Sequence, residues 1–117
     1  MAEGKYRVLI VDDEEDMCVL LSRVVEGEGF KALAARSGKR ALEMIGTHSL
    51  DVMLVDVRMP GMDGMEVLRR AKQLDRDLPV IIITAYAGIP GAVEAMRAGA
   101  HDYLAKPFDH HEMIRVL

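Results

Sequence analysis

The chain has 117 residues, half of them hydrophobic, which is the size of one domain with a core of ordinary extent. Nineteen acidic residues against fifteen basic ones give a formal charge of −4 without a basic run, so we expect no direct contact with nucleic acid. Cys18 is the only cysteine, which excludes an intramolecular disulfide and a cysteine metal cluster. The sequence shows no signal peptide and no apolar run that could span a membrane, so we expect a cytoplasmic protein.

Short apolar runs alternate with longer amphipathic segments along the chain. Four runs are continuously hydrophobic, which predicts strands covered on both faces, as in a parallel sheet. A fifth run is weaker and is predicted to be an edge strand. In chain order the predicted strands cover residues 6–11, 31–35 (the weaker run), 51–55, 79–83 and 102–105.

Two amphipathic helices are predicted before the third strand. The first ends at Gly29, a typical residue at a helix C-terminus, and the second covers residues 38–47 with Ser37 as its N-cap. The apolar stripe predicted to face the core in the first helix consists of Met17, Leu20, Leu21, Val24 and Val25.

Three further helices complete an alternation of strands and helices. The third helix is predicted over residues 64–74, and the fourth begins near Ile89 and ends before Gly99. The last begins after Asp109, and its apolar pattern is unfinished at Leu117. Five strand–helix repeats predict a doubly wound α/β sandwich with right-handed crossovers.

Polar residues follow four of the predicted strands, whereas the weaker second strand contributes nothing comparable. The carboxyl ends of parallel strands share one edge of the sheet, where open α/β folds bind ligands. A single strand-end aspartate is usually a helix cap, and Asp13 is also expected to cap the first helix, but four coincident strand ends indicate a site. The residues at these ends are Asp12 and Asp13, Asp56, Thr84, and Lys106.

The charges of these residues narrow the chemistry. The three aspartates bring three negative charges together and Lys106 supplies one positive charge, which leaves a sum of −2. Such a cluster must raise a pKa or recruit a cation. Because the candidate ligands are hard oxygens, without His or Cys, the site favours Mg²⁺ or Mn²⁺ over Zn²⁺. A metal held in this way is suited to binding a phosphoryl oxygen.

Four motifs, VDDEED, VDVRMPGMDG, ITAY and YLAKPF, follow one another in a familiar order and spacing. With them the chain resembles the receiver domain of bacterial two-component response regulators over essentially its whole length. The resemblance implies a single receiver domain over residues 1–117. The implied fold is a three-layer (βα)5 flavodoxin-like doubly wound sandwich, whose five-stranded parallel sheet has the strand order 2-1-3-4-5. It also implies a signalling phosphoacceptor that assists its own phosphotransfer and dephosphorylation, and not an enzyme.

The resemblance assigns roles to the acidic residues. Asp56 would be the phosphoacceptor, whose carboxylate attacks a phosphohistidine on a sensor histidine kinase. Asp13, Asp56 and the backbone carbonyl of Arg58 would bind Mg²⁺, with Mn²⁺ as the alternative metal. Asp12 would act through a metal-bound water.

The resemblance also implies a switch around the phosphoryl group. Lys106 would pair with a phosphoryl oxygen, and the bond between Lys106 and Pro107 is expected to be cis. Thr84 would donate its hydroxyl to the phosphoryl group and be drawn inward. Tyr103 would then rotate into the vacated space and change the surface formed by helix 4, strand 5 and helix 5.

The stretch AGIPGAVEAMRAGAHDYLAKPF is similar to receivers of the nitrogen-regulatory-protein-C type. Such receivers precede an ATPase module and a helix-turn-helix in transcriptional activators. The resemblance implies an output domain in cis that regulates transcription and is absent from this chain. We expect the chain to be cut within the last helix of the receiver domain. The helix 4 and strand 5 face is the expected contact of a phosphorylation-dependent homodimer, and no contact with a membrane is expected.

Three alternatives stay open at this point. One is a stand-alone receiver without an output domain. A second is a magnesium-dependent phosphatase of the haloacid-dehalogenase type, although its second aspartate, two residues after the nucleophile, is here Arg58. The third is a flavin-binding module, although no Ser/Thr-rich phosphate loop follows the first strand.

Overall fold

The structure, a computed structural model, describes residues 6–84 and 89–105 of the chain. Within these ranges strands and helices alternate as predicted, and each strand lies within one residue of its predicted bounds. The predictions for Lys106, Pro107 and the fifth helix lie outside the described residues. The elements are β1 (Arg7–Val11), α1 (Glu15–Gly27), β2 (Lys31–Ala35), α2 (Gly38–Thr47), β3 (Val52–Asp56), α3 (Gly64–Leu74), β4 (Val80–Thr84), α4 (Ile89–Arg97) and β5 (Asp102–Ala105).

The five strands form one parallel sheet in the order β2-β1-β3-β4-β5. This order confirms the predicted topology and places β2 at an edge. β1 and β3, which both precede aspartates, are direct neighbours, with Val11 opposite Val55. The residues that follow them therefore meet at the carboxyl edge of the sheet.

The core lies on both faces of the sheet because successive side chains of a strand point to opposite sides. In β1, Val8 and Ile10 pack with residues of α1, whereas Leu9 and Val11 pack with residues of α2, α3 and α4. Helices thus cover both faces, which explains why the strand sequences are continuously hydrophobic and confirms that prediction.

Two predicted helix ends are confirmed, the start of α2 and the end of α1, but one predicted core residue is wrong. The Ser37 hydroxyl accepts a hydrogen bond from the backbone N–H of Arg40 at 3.1 Å, and Gly29, with φ of +89°, follows the C-cap of α1. In α1, Leu20 is 55% exposed, whereas Leu21 is buried. The helical period of 3.6 residues places Leu21 on the buried line and turns Leu20 away from the sheet.

None of the helices in the described part of the chain is both long enough and apolar enough to cross a bilayer.

Candidate functional site

Three carboxylates meet at the carboxyl edge of the sheet. Asp12 follows β1, and Asp56 ends the neighbouring β3. One carboxylate oxygen of each of Asp12, Asp13 and Asp56 lies within 4.8 Å of those of the other two. The expectation that the parallel sheet brings these aspartates together is confirmed.

Backbone N–H groups fix the two buried carboxylates of this cluster. Asp12 is 1% exposed and Asp56 is 8% exposed. The N–H of Glu14 donates to Asp12 Oδ1 at 3.0 Å, and the N–H of Arg58 donates to Asp56 Oδ1 at 3.2 Å. Each carboxylate is thus oriented by the amide two residues further along the chain, an arrangement that Asp favours at turns.

The prediction that Asp13 caps α1 is wrong. The N-cap of this helix is Glu14, whose side chain makes no capping hydrogen bond. Asp13 lies two residues before the first helical residue, and it is half-buried with its carboxylate beside those of Asp12 and Asp56.

The loop after β3 closes tightly behind Asp56. The N–H of Gly64 donates to the carbonyl of Val57 at 2.9 Å. A Cβ atom on Gly64 would lie 2.5 Å from the Asp56 carbonyl oxygen and 2.7 Å from Val57 Cα, so only glycine allows this approach. The loop lines an open hollow of about 490 Å³, whose walls are Val57, Arg58, Met59, Pro60 and Asp63.

The predicted switch residues lie on the next two strands. Thr84, 1% exposed, ends β4, which is the neighbour of β3. Tyr103 lies opposite Ile82 in the register of β4 and β5 and is partly buried on the face covered by α2, α3 and α4. A Cβ on Gly91 would lie 3.0 Å from the Tyr103 hydroxyl, which therefore lies against the first turn of α4.

The sequence led us to expect no contribution from β2 to the site, and the structure contradicts this expectation. Arg36, directly after β2, donates from Nη2 to the backbone carbonyl of Asp13 at 3.2 Å. Because β2 is the neighbour of β1, its carboxyl end opens onto the same edge. A lone arginine after a weak strand belongs to no motif, and only the adjacency of the two strands could have indicated it.

The single cysteine packs beneath the acidic cluster. The Cys18 thiol is buried and donates to the backbone carbonyl of Asp12 at 3.3 Å. Burial, together with the nearby charge of Asp12, raises the pKa of this thiol. Cys18 is therefore a neutral packing group that contacts the backbone of the site.

The chain is similar to known proteins in both sequence and fold. The family model of the response regulator receiver domain matches residues 8–117. A solved structure of a response regulator protein from Burkholderia pseudomallei, described as having a phosphorylated aspartic acid, a calcium ion and citrate, is 28% identical. It matches 97% of this chain and 66% of its own with a TM-score of 0.89, which supports the flavodoxin-like fold.

Two curated relatives show the type of regulator that the chain is similar to. The transcriptional regulatory protein ZraR of Escherichia coli (strain K12) is 41% identical over 109 residues, which are 93% of this chain and 25% of ZraR. The DNA-binding transcriptional regulator NtrC of Klebsiella pneumoniae is 43% identical over 108 residues, which are 92% of this chain and 23% of NtrC. The chain thus spans about a quarter of the length of these relatives, and the resemblance to the nitrogen-regulatory-protein-C type is confirmed.

Proposed function

Because the chain belongs to the response regulator receiver domain family, we propose that it accepts a phosphoryl group from a sensor histidine kinase on Asp56. The observation that carries this role is the gathering of three carboxylates within 4.8 Å of one another at the carboxyl edge of the sheet. The phosphorylated aspartic acid in the structure from Burkholderia pseudomallei supports the same chemistry. Because the phosphoryl group comes from a sensor kinase, the protein would act in signalling, and we expect it to do so in the cytoplasm.

Asp56 has the surroundings that a carboxylate nucleophile needs. It ends a fully buried strand, and the N–H of Arg58 holds one of its carboxylate oxygens. A carboxylate oxygen forms a bond to phosphorus while the phosphorus–nitrogen bond of the phosphohistidine breaks, and the imidazole of the kinase leaves with that electron pair. The product is an aspartyl phosphate.

The donor set of the site fits a divalent cation. Three carboxylates bring three negative charges and only oxygen ligands, which suits Mg²⁺ or Mn²⁺. We assign the cation to Asp13, Asp56 and the backbone carbonyl of Arg58, with Asp12 acting through a water. When bound, this cation supplies positive charge that neutralises the phosphoryl oxygens.

Phosphorylation then acts as a charge switch. A dianionic phosphoryl group replaces the single charge of the Asp56 carboxylate, so the site becomes more negative by one unit. Lys106 would pair with a phosphoryl oxygen, and the hydroxyl of Thr84 would donate to another. The movement of Thr84 frees space for Tyr103, whose hydroxyl lies against α4.

The switched surface of helix 4, strand 5 and helix 5 would control an output domain in cis. The relatives ZraR and NtrC are transcriptional regulators and are longer than this chain. We therefore infer that the output is transcriptional regulation. We also expect phosphorylation to drive formation of a homodimer through the same surface. The family match supports a receiver over the phosphatase and flavin alternatives, and Arg58 stands where the phosphatase needs its second aspartate.

Intact mass spectrometry tests the acceptor directly. The protein is incubated with Mg²⁺ and acetyl phosphate, with and without EDTA, and then weighed. The wild type should gain one phosphoryl group only in the presence of the metal, and Asp56→Asn should gain none. A wild type without added mass, or an equal gain in Asp56→Asn, would overturn the assignment.

The same loop offers a matched control for this experiment. The Asp63 carboxylate caps α3 by accepting from the N–H of Glu66 at 3.0 Å. Because Asn caps helices as well as Asp does, Asp63→Asn should fold normally and be phosphorylated like the wild type. A loss of phosphorylation in Asp63→Asn would show that any lost carboxylate in this loop abolishes the reaction.

The switch needs a separate readout. Phosphorylation of the wild type should change amide exchange in α4 and β5, and beryllofluoride should change the particle size measured by light scattering. Thr84→Ala should still be phosphorylated on Asp56 but lose the exchange response. A full response in Thr84→Ala contradicts the role of this hydroxyl, and an unchanged particle size contradicts the homodimer.

A further inference from the structure

We propose that Arg36 is a further residue of this site, whose guanidinium weakens divalent cation binding and favours reaction with a dianionic phosphodonor. This role rests on the proposed function, since it concerns the cation and the donor of the same site. It extends the site to β2, the edge strand whose sequence indicated no part in it.

The placement of Arg36 follows from the pairing of β1 with β2. Val11 lies opposite Ala35 in their register, and the N–H of Asp12 donates to the carbonyl of Ala35 at 3.1 Å. Arg36 is therefore brought beside the aspartates that follow β1. Its side chain crosses to the loop between β1 and α1, where Nη2 binds the carbonyl of Asp13 at 3.2 Å.

Arg36 is exposed, but its hydrogen bond holds it against the loop that carries two of the acidic residues. Asp13, whose backbone carbonyl accepts from the guanidinium, also supplies one of the three carboxylates that lie within 4.8 Å of one another. The guanidinium charge is therefore held close to the acidic cluster.

Arg36 changes the charge balance that the sequence suggested. The sum expected from the sequence for the three carboxylates and Lys106 is −2, and the charge of Arg36 raises this sum to −1. A divalent cation then produces a surplus of one positive charge in place of a neutral site. A sum of −1 attracts the divalent cation less strongly than a sum of −2, so Arg36 weakens cation binding. Once the cation is bound, the positive surplus attracts a dianionic donor, while the bond to the Asp13 carbonyl keeps the guanidinium at the rim.

Direct metal binding tests the first half of this role. Mn²⁺ is titrated into the protein without a phosphodonor, and the free ion is measured by electron paramagnetic resonance. Removal of the Arg36 charge in Arg36→Gln should tighten Mn²⁺ binding about three-fold at low ionic strength. The difference should nearly vanish at about 1 M salt, where the screening length falls to about 3 Å.

Two variants separate the local charge from other effects. Arg36→Lys keeps the charge and should restore most of the wild-type affinity, whereas an affinity equal to that of Arg36→Gln would assign the effect to the hydrogen bond and overturn the charge role. Arg76→Gln makes the same change of net charge in the exposed turn before β4, at the opposite edge of the sheet. An equal tightening in Arg76→Gln would show a global charge effect and also overturn the role.

The reaction rate tests the second half. At saturating Mg²⁺, acetyl phosphate should phosphorylate Arg36→Gln about three-fold more slowly than the wild type. Equal rates, or Mn²⁺ affinities that agree at low salt, overturn the proposal for Arg36. A wild type that binds Mn²⁺ but gains no phosphoryl mass overturns the proposed function instead, while the Mn²⁺ titration still tests Arg36.

Discussion

Replacement of Gly64 by alanine tests how the start of α3 positions Asp56, the proposed phosphoacceptor. The new Cβ would lie 2.5 Å from the carbonyl oxygen of Asp56 and 2.7 Å from Val57 Cα. Both neighbours are backbone atoms of the loop that carries the acidic residue, and they cannot move aside as a flexible side chain would. The first turn of α3 and the end of β3 must therefore separate.

The cost of this separation can be estimated from two opposing effects. Overpacking in a well-packed region costs about 1–3 kcal/mol, whereas alanine in a helix gains about 0.5–1 kcal/mol over glycine. The upper part of the overpacking range applies because backbone atoms make the contact, so we expect a net loss of about 2 kcal/mol. For a domain of this size the melting temperature should fall by about 8 °C.

Urea unfolding measures the loss, and phosphorylation of Asp56 measures the displacement. Since misplacing a reacting group by about 1 Å can cost about a hundredfold in rate, Gly64→Ala should react with acetyl phosphate at least about tenfold more slowly. Gly46→Ala is the matched control, because a Cβ on this exposed glycine of α2 meets nothing within 4 Å. It should gain about 0.5–1 kcal/mol. A Gly64→Ala protein as stable and as reactive as the wild type would refute the reasoning.

Three further predictions concern a cap, a contact and a titration. Ser37→Ala removes the N-cap of α2 and should cost about 1 kcal/mol in urea unfolding; an unchanged midpoint contradicts the cap. Gly91→Ala presses on the Tyr103 hydroxyl, so a double-mutant cycle with Tyr103→Phe should give a coupling of about 0.5–1 kcal/mol, and additive effects would exclude the contact. Burial and the charge of Asp12 raise the Cys18 pKa, so the folded state binds the proton more tightly than the unfolded chain, and the free energy of unfolding should fall as the pH rises above 9.0. Cys18→Ala should reduce this fall. A difference in the free energy of unfolding between the wild type and Cys18→Ala that does not change with pH would contradict this prediction.

The sequence by itself determined the elements, the topology and the location of the site. Continuous apolar runs and helical stripes are local patterns, so they predict strands and helices without knowledge of the contacts. The sheet order followed from the family resemblance, and a parallel sheet necessarily brings its strand ends to one edge. The meeting of Asp12, Asp13 and Asp56 could therefore be predicted before their distances were measured.

Only the tertiary structure decided which neighbours complete that edge. Arg36 binds a carbonyl 23 residues away along the chain, and Gly64 packs against the backbone of Asp56. The exposure of Leu20 and the position of Glu14, rather than Asp13, at the N-cap of α1 were likewise missed. In each case the outcome depends on the spatial fit between segments that only the packed sheet brings together, whereas periodicity and motifs report the preferences of one segment at a time.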